Sequence, residues 1–213
     1  MVVNAVVGQD RMMPLQVPTS TPTLAGSGVT LRPVRPDDML ERRCLGHVPE
    51  IIRMFGGTPS THNTESMSEH EATQWYEEIR NDPNPLHWVI EYHGRFAGTA
   101  RLHMLSHADR SARYAVGLLD PTLLGQGVGT AVTELVLRYS FRELGLHRVE
   151  LRVLDYNARA LASYRKSGFV EEGRLRQAAL VDGAWHDDVM MSIVYVEWEN
   201  SRDTTPGDRR REG

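Results

Sequence analysis

The chain has a single cysteine, Cys44, so no intrachain disulfide can staple it. With no neighbouring His and no CxxC, that cysteine reads as a small buried residue rather than a nucleophile or zinc ligand. No apolar stretch approaches the roughly 20 residues needed to cross a bilayer. A cationic excess is missing too: the formal net charge is −4 and the one basic run, Arg209-Arg210-Arg211, is terminal, which excludes a general nucleic-acid surface. The first residues lack the basic start and continuous apolar core of a signal peptide. These absences lead us to expect a cytoplasmic protein with neither a nucleic-acid nor a membrane partner.

What is present suffices for one globular domain, since 213 residues at 40% hydrophobic content can bury a sizeable core. Pro14, Pro18 and Pro22 among Ser and Thr residues predict a flexible tail over 1–28. The domain itself is expected over 29–198, and the polar stretch from 199 to 213 reads as a second flexible tail.

Between the tails, strand and helix patterns alternate. Val29 to Val34 predicts a strand, Pro36-Asp37-Asp38 a helix start, and Ser68 to Ile79 an amphipathic helix whose Ser68 and Glu71 form a capping box. Leu86–Tyr92 and Arg95–Leu105 flank a His93-Gly94 turn, and Ala112–Leu119 follows a turn at Asp109-Arg110. A helix is expected from Val128 to Leu144, a buried strand from Arg148 to Leu154, and a helix from Asn157 to Lys166. Strands over Leu175–Val181 and Val189–Val196 close the pattern. Antiparallel hairpins followed by crossovers predict an α/β (α+β) class: a mixed, mostly antiparallel twisted sheet flanked by helices in a single domain.

The most informative run is Leu123-Leu124-Gly125-Gln126-Gly127-Val128-Gly129-Thr130, between a strand and a long helix. Glycines let backbone approach a ligand, and the free N–H groups opening a helix attract negative charge, so a phosphate or pyrophosphate is the expected guest. A P-loop would need Gly-Lys-Ser/Thr here, and no Lys follows. A dinucleotide fingerprint would read Gly125, Gly127, then Thr130 at the third glycine, with Glu150 as ribose acid. That motif belongs on the first strand of a βαβ series, whereas here hairpin-like strands precede it and Glu150 lies inside a strand.

The same run resembles the Arg/Gln-x-x-Gly-x-Gly/Ala motif of the GCN5-related N-acetyltransferases. About 30 residues later, Asn157-Ala-Arg-Ala-Leu-Ala-Ser-Tyr164-Arg-Lys-Ser-Gly168-Phe169 looks like that family's second signature. The stretch from Gly173 to Ile193 is similar to the subgroup holding ribosomal-protein N-terminal and small-amine acetyltransferases. The resemblance implies acetyl-CoA as cosubstrate, no metal, and direct attack of a primary amine on the thioester. The amine would belong to a small molecule or a protein N-terminus, and the resemblance leaves a homodimer open.

Carried over residue by residue, the resemblance implies that the backbone of Leu118 and Leu119 pairs with the pantetheine arm. Leu124, Gly125, Gln126, Gly127, Val128, Gly129 and Thr130 would cradle the pyrophosphate, and Asn157 would bond the arm while capping its helix. Tyr164 matches the position suited to protonating the departing thiolate. Leu124 stands where Arg or Gln usually opens the motif, and the strand Ala112–Gly117 lacks the glutamate that relatives carry near Ala115. For the base, Glu91 and His103 are the candidates, on strands that could face a cleft. His103 and His107 are spaced for a metal only on a helix, so no metal site is expected.

Among Trp185, His186, Asp187 and Asp188, a carboxylate could hold an ammonium, and the acidic helix carrying Glu69, Glu71, Glu77 and Glu78 could steer a cation or simply face water. Gly56 to Met67 could form a wall of the acceptor pocket. The missing carboxylate and Leu124 motivate an alternative, a non-catalytic acyl-CoA-binding regulatory module. A nucleotide-binding oxidoreductase is a third reading.

Overall fold

The computed structural model describes residues 15–59 and 67–203. Eight strands form one sheet in the order β1-β2-β3-β4-β5-β6-β8-β7: β1 (Leu24–Gly26), β2 (Val29–Arg32), β3 (His87–Tyr92), β4 (Arg95–Ser106), β5 (Ser111–Leu118), β6 (Arg148–Leu154), β7 (Val170–Val181) and β8 (Ala184–Val194). Every neighbouring pair is antiparallel except β5 with β6. Among the described residues six α-helices accompany it: α1 (Asp38–Leu45), α2 (Pro49–Met54), α3 (Glu69–Arg80), α4 (Val128–Arg142), α5 (Ala158–Lys166) and α6 (Tyr195–Asp203).

Strand alternation assigns the two faces. Trp88, fully buried on β3, meets Tyr139 of α4 edge-on at 6.1 Å, and Tyr114 of β5 bonds Thr133 of α4 at 3.2 Å and meets Tyr164 of α5 at 6.5 Å. The α4 and α5 layer therefore covers the face carrying Trp88, Leu102, Tyr114 and Leu151. The opposite face carries Arg32, whose guanidinium holds Asp38 of α1 at 2.8 Å and Glu91 at 2.7 Å. Over it α3 sets Trp75 edge-on to Phe96 at 5.5 Å. The capping box of α3 is present in full, with Ser68 Oγ accepting from Glu71 N–H and the Glu71 carboxylate accepting from Ser68 N–H.

Several elements differ from the sequence pattern for identifiable reasons. Part of the segment expected to be a loose tail is pinned: β1 pairs with β2, Trp88 Nε1 donates to Pro22 O at 2.8 Å, and Gln16 N–H reaches Leu144 O. At the other end, the chain leaves β8 as helix α6 rather than continuing as a strand to Val196 and then a tail. Trp198 is buried against Phe141 of α4 with ring centroids 5.2 Å apart, and Arg142 and Arg202 lie over its ring. Strands β7 and β8 start earlier than expected, at Val170 and Ala184, because their outer residues are exposed and bulged, which erases the apolar alternation. Cys44 is exposed on α1 rather than buried. The tail before 15, the wall residues 60–66 and the segment after 203 lie outside the described residues.

Arg148 on β6 grips Glu172 on β7 with two nitrogens, at 2.7 and 2.6 Å, while Ser192 Oγ donates to the same carboxylate at 2.7 Å. The Arg148 hydrogen bonds hold the Glu172 carboxyl down at about 2. A depressed folded-state pKa contributes stability that is complete above the unfolded value and is lost as pH falls through the folded one. The side chain is 39% exposed, so solvent screening keeps the contribution below about 1 kcal/mol. Urea unfolding of Glu172→Gln is expected to show a small deficit at neutral pH that shrinks between the ordinary carboxyl value of 4.5 and about 2. A deficit independent of pH would mean that the ion pair contributes nothing.

Candidate functional site

Strands β5 and β6 pair only from Ser111↔Arg148 to Arg113↔Glu150. Beyond that point β5 runs to Leu118 and β6 to Leu154 without mutual pairing, so a gap opens through the sheet. The N–H of Leu119 donates to Ala97 O at 2.8 Å on the β4 side. By alternation, the backbone groups of Leu118 and Val116 point the other way, into the gap. Leu119 is thus committed to the sheet and lies outside the cavity, whereas Leu118 lines it. A slip of one residue reverses every backbone and side-chain direction, which is why these two adjacent leucines divide.

A cavity of about 870 Å³ occupies the gap. At one end lies the glycine run. Gly125 (φ 77°) and Gly127 (φ 82°) adopt the left-handed conformation, and a Cβ built on either meets nothing within 4 Å. The first hydrogen bond of α4 runs from Ala131 N–H to Gly127 O, so the N–H groups of Val128, Gly129 and Thr130 precede any helical acceptor. Leu124, Gly125, Gly127, Gly129 and Thr130 line the cavity. Val128 is buried beneath it, and the Gln126 amide folds back onto Thr122 O. Open space, free donors and the positive end of a helix together suit a phosphate group.

Asn157 caps α5, its Oδ1 accepting from Ala160 N–H at 3.1 Å, and it also faces the cavity, leaving Nδ2 for a ligand. About two helical turns further on, Tyr164 lines the same space from α5. Its ring is wedged edge-on between Tyr114 and Phe169. Burial pushes the phenol up to about 12.

The two base candidates lie elsewhere. Glu91 spends its carboxylate on Arg32, with Arg35 at 3.8 Å, and neither it nor His103 lines the cavity. His103 sits opposite Arg113 on the far face of β4–β5, where burial and then Arg101, Arg113 and His87 push its pKa down. Glu150, the ribose acid of a dinucleotide reading, is held by Arg113 at 2.8 Å and Arg148 at 3.4 Å. Burial pushes the Glu150 carboxyl up, but the arginine bonds outweigh it and leave it below its ordinary value.

On the face opposite α4 and α5, α2 forms a wall that sequence periodicity missed because the helix spans only six residues. Its Phe55 packs so close to β5 that a Cβ on Gly117 would lie 2.3 Å from the ring. Long-range bonds fix α2: Arg159 of α5 pairs with Glu50, Tyr156 Oη donates to Arg53 O at 2.5 Å, and Arg53 meets Asp182 of the β7–β8 turn at 2.6 Å. Gly56 and Asp188 also line this side. Of the neighbouring polar residues, Asp187 accepts from Gln177 N–H and His186 faces Asp155 at 3.7 Å, so Asp188 is the carboxylate left for a ligand. Among the described residues no three His, Cys, Asp or Glu converge as a metal site would need. Nor, among them, is any helix long and apolar enough to cross a membrane.

Comparison with known proteins agrees with this architecture. Residues 51–169 match the family model described as the acetyltransferase (GNAT) family. The spermidine N(1)-acetyltransferase of Escherichia coli K12 is 26% identical over 179 residues, covering 84% of this chain and 92% of that protein. YdaF of Bacillus subtilis 168, provisionally named a ribosomal N-acetyltransferase, is 31% identical over 121 residues, covering 57% of this chain and 66% of that one. Among solved structures, the spermidine N-acetyltransferase of Vibrio cholerae, in complex with CoA and spermine, superposes with a TM-score of 0.66 at 26% identity, covering 82% of this chain and all (100%) of that one. The family model spans more than half of the chain, so the chain belongs to the acetyltransferase (GNAT) family and is an acetyl-CoA-dependent N-acetyltransferase.

Proposed function

We propose that this enzyme acetylates a primary amine that reaches the cavity from the α2 side while acetyl-CoA occupies the α4–α5 side. The observation that carries the division is the gap between β5 and β6, which joins free helix N–H groups on one face to Asp188 on the other. The cosubstrate supplies an activated acetyl thioester. The chain's own residues do the rest: Gly125 to Thr130 hold its pyrophosphate, the backbone of Val116 and Leu118 and the amide of Asn157 align its arm, and Tyr164 donates a proton to the leaving sulfur. Asp188 anchors the ammonium and takes its first proton, in place of the bases expected on β3 and β4.

Holding both partners in line is the main catalytic contribution, since positioning converts a bimolecular step into an effectively unimolecular one. A cytoplasmic location and a homodimer remain part of the proposed reading.

Incubation of the protein with acetyl-CoA, small amines and peptides bearing free N-termini, read by mass spectrometry, is expected to show products gaining one acetyl group. Absence of any product, with acetyl-CoA bound in the same preparation, would overturn the catalytic reading and revive the non-catalytic one.

A further inference from the structure

The charge lining the acceptor side does not suit a polyamine. Among the described residues that line the cavity, Asp188 is the single carboxylate, against Arg152, Arg159 and Lys166. Arg159 is neutralised by Glu50, and Lys166 projects from α5 on the opposite face. Arg152 has no ion-pair partner among the described residues, and neither does Asp188.

These two free charges share one sheet face. Arg152 pairs with Met190 and Leu154 with Asp188, so Arg152 and Asp188 are diagonal neighbours on β6 and β8. Diagonal positions lie roughly 7–8 Å apart, too far for the backbones to force a salt bridge and close enough for one small molecule to touch both. Two large apolar side chains that line the same cavity are left in water, Phe55 at 56% exposure and Leu180 at 51%. A cation beside an anion, with an apolar rim, is complementary to a zwitterion with an apolar body.

We propose that the acceptor is an α-amino acid, or a small zwitterion of the same form, with an apolar side chain, its ammonium held by Asp188 and its carboxylate by Arg152. This rests on the N-acetyltransferase reading of the cavity. In the reaction the ammonium loses one proton to Asp188, and the nitrogen lone pair then forms the C–N bond to the thioester carbonyl carbon. The C–S bond breaks, the sulfur leaves with its electron pair, and it takes the Tyr164 hydroxyl proton. The second N–H proton returns through water to the tyrosinate, and one proton is released overall.

The test compares kcat/KM for leucine against 3-methylbutylamine, and for phenylalanine against 2-phenylethylamine, with spermidine as a fifth acceptor. A charge-assisted carboxylate contact is expected to favour each amino acid over its decarboxylated partner by about tenfold or more. In Arg152→Ala, whose side chain is solvent-exposed, that ratio is expected to fall to about one, since the contact is then gone. Circular dichroism checks that the variant is folded. A native preference for the simple amines or for spermidine would overturn the proposal and leave the N-acetyltransferase reading standing, as would a ratio unmoved by Arg152→Ala. No acetylation of any of the five, nor of a peptide N-terminus, by protein that binds acetyl-CoA would overturn both.

Discussion

Gly127→Glu is expected to abolish acetyl-CoA binding. Gly127 is the N-cap of α4 in the left-handed conformation, at φ 82°, and its missing Cβ faces open space. A Cβ there meets no atom within 4 Å, so a glutamate side chain has room to enter the place proposed for the pyrophosphate and brings a negative charge to it. Left-handed backbone costs an L-residue roughly 1–2 kcal/mol. Repulsion between like charges a few ångströms apart adds from about 1 kcal/mol in water to several near a protein surface. The strain is common to the free and bound protein and lowers folding stability, whereas the repulsion and the bulk at the pyrophosphate place lower affinity, by about a hundredfold or more. Calorimetric titration with acetyl-CoA reads the loss, and Gly127→Ala isolates the backbone cost, since it carries the strain without the charge. If the glutamate variant binds acetyl-CoA as tightly as the native protein, the glycine run is not the phosphate cradle.

The geometry of the glycine run was legible because it is local. Two glycines at positive φ, a helix start and the absence of a lysine all fall within one short run, and each has a backbone consequence that neighbours in sequence suffice to determine. The same holds for Asn157 and Tyr164, placed on one face of one helix by spacing alone. The capping box of α3 is likewise a relation between residues three apart.

The base candidates were illegible because their fate depends on distant partners. Glu91 looks available on its strand, yet Arg32, 59 positions away, takes it. His103 sits opposite Arg113, where β5 is still closed against β6 and the cavity has not opened, a position set by strand pairing and not by the residues beside it. The α2 wall depended in the same way on Asp182, 129 positions from Arg53, and on a glycine in β5 that only the approach of Phe55 explains. Asp188 fell within a cluster the sequence did mark. Choosing it over Asp187 required knowing that Asp187 already accepts a backbone N–H from β7. Contacts that close within a helix turn can be read from the chain, whereas contacts that depend on register across a sheet need the fold.

Tyr164→Phe is expected to lower kcat by about a hundredfold, the lower end of what a positioned general acid contributes, while acetyl-CoA affinity stays near native. The hydroxyl has no hydrogen-bond partner among the described residues and the ring packing with Tyr114 and Phe169 survives the change, so the fold is retained. The pH profile separates catalysis from packing. Burial raises the phenol to about 12. Its neutral form therefore contributes stability that is complete below the ordinary value of 10.0 and is lost only as pH rises toward about 12. For the same reason the native enzyme keeps its proton donor through the whole alkaline range in which the amine loses its proton, and its rate is expected to rise to a plateau without falling near pH 10, where an unperturbed tyrosine ionises. The phenylalanine variant, lacking the donor, should show the same rising limb at a rate lower throughout. A kcat equal to the native value would remove Tyr164 from the acid role and leave protonation of the sulfur to water.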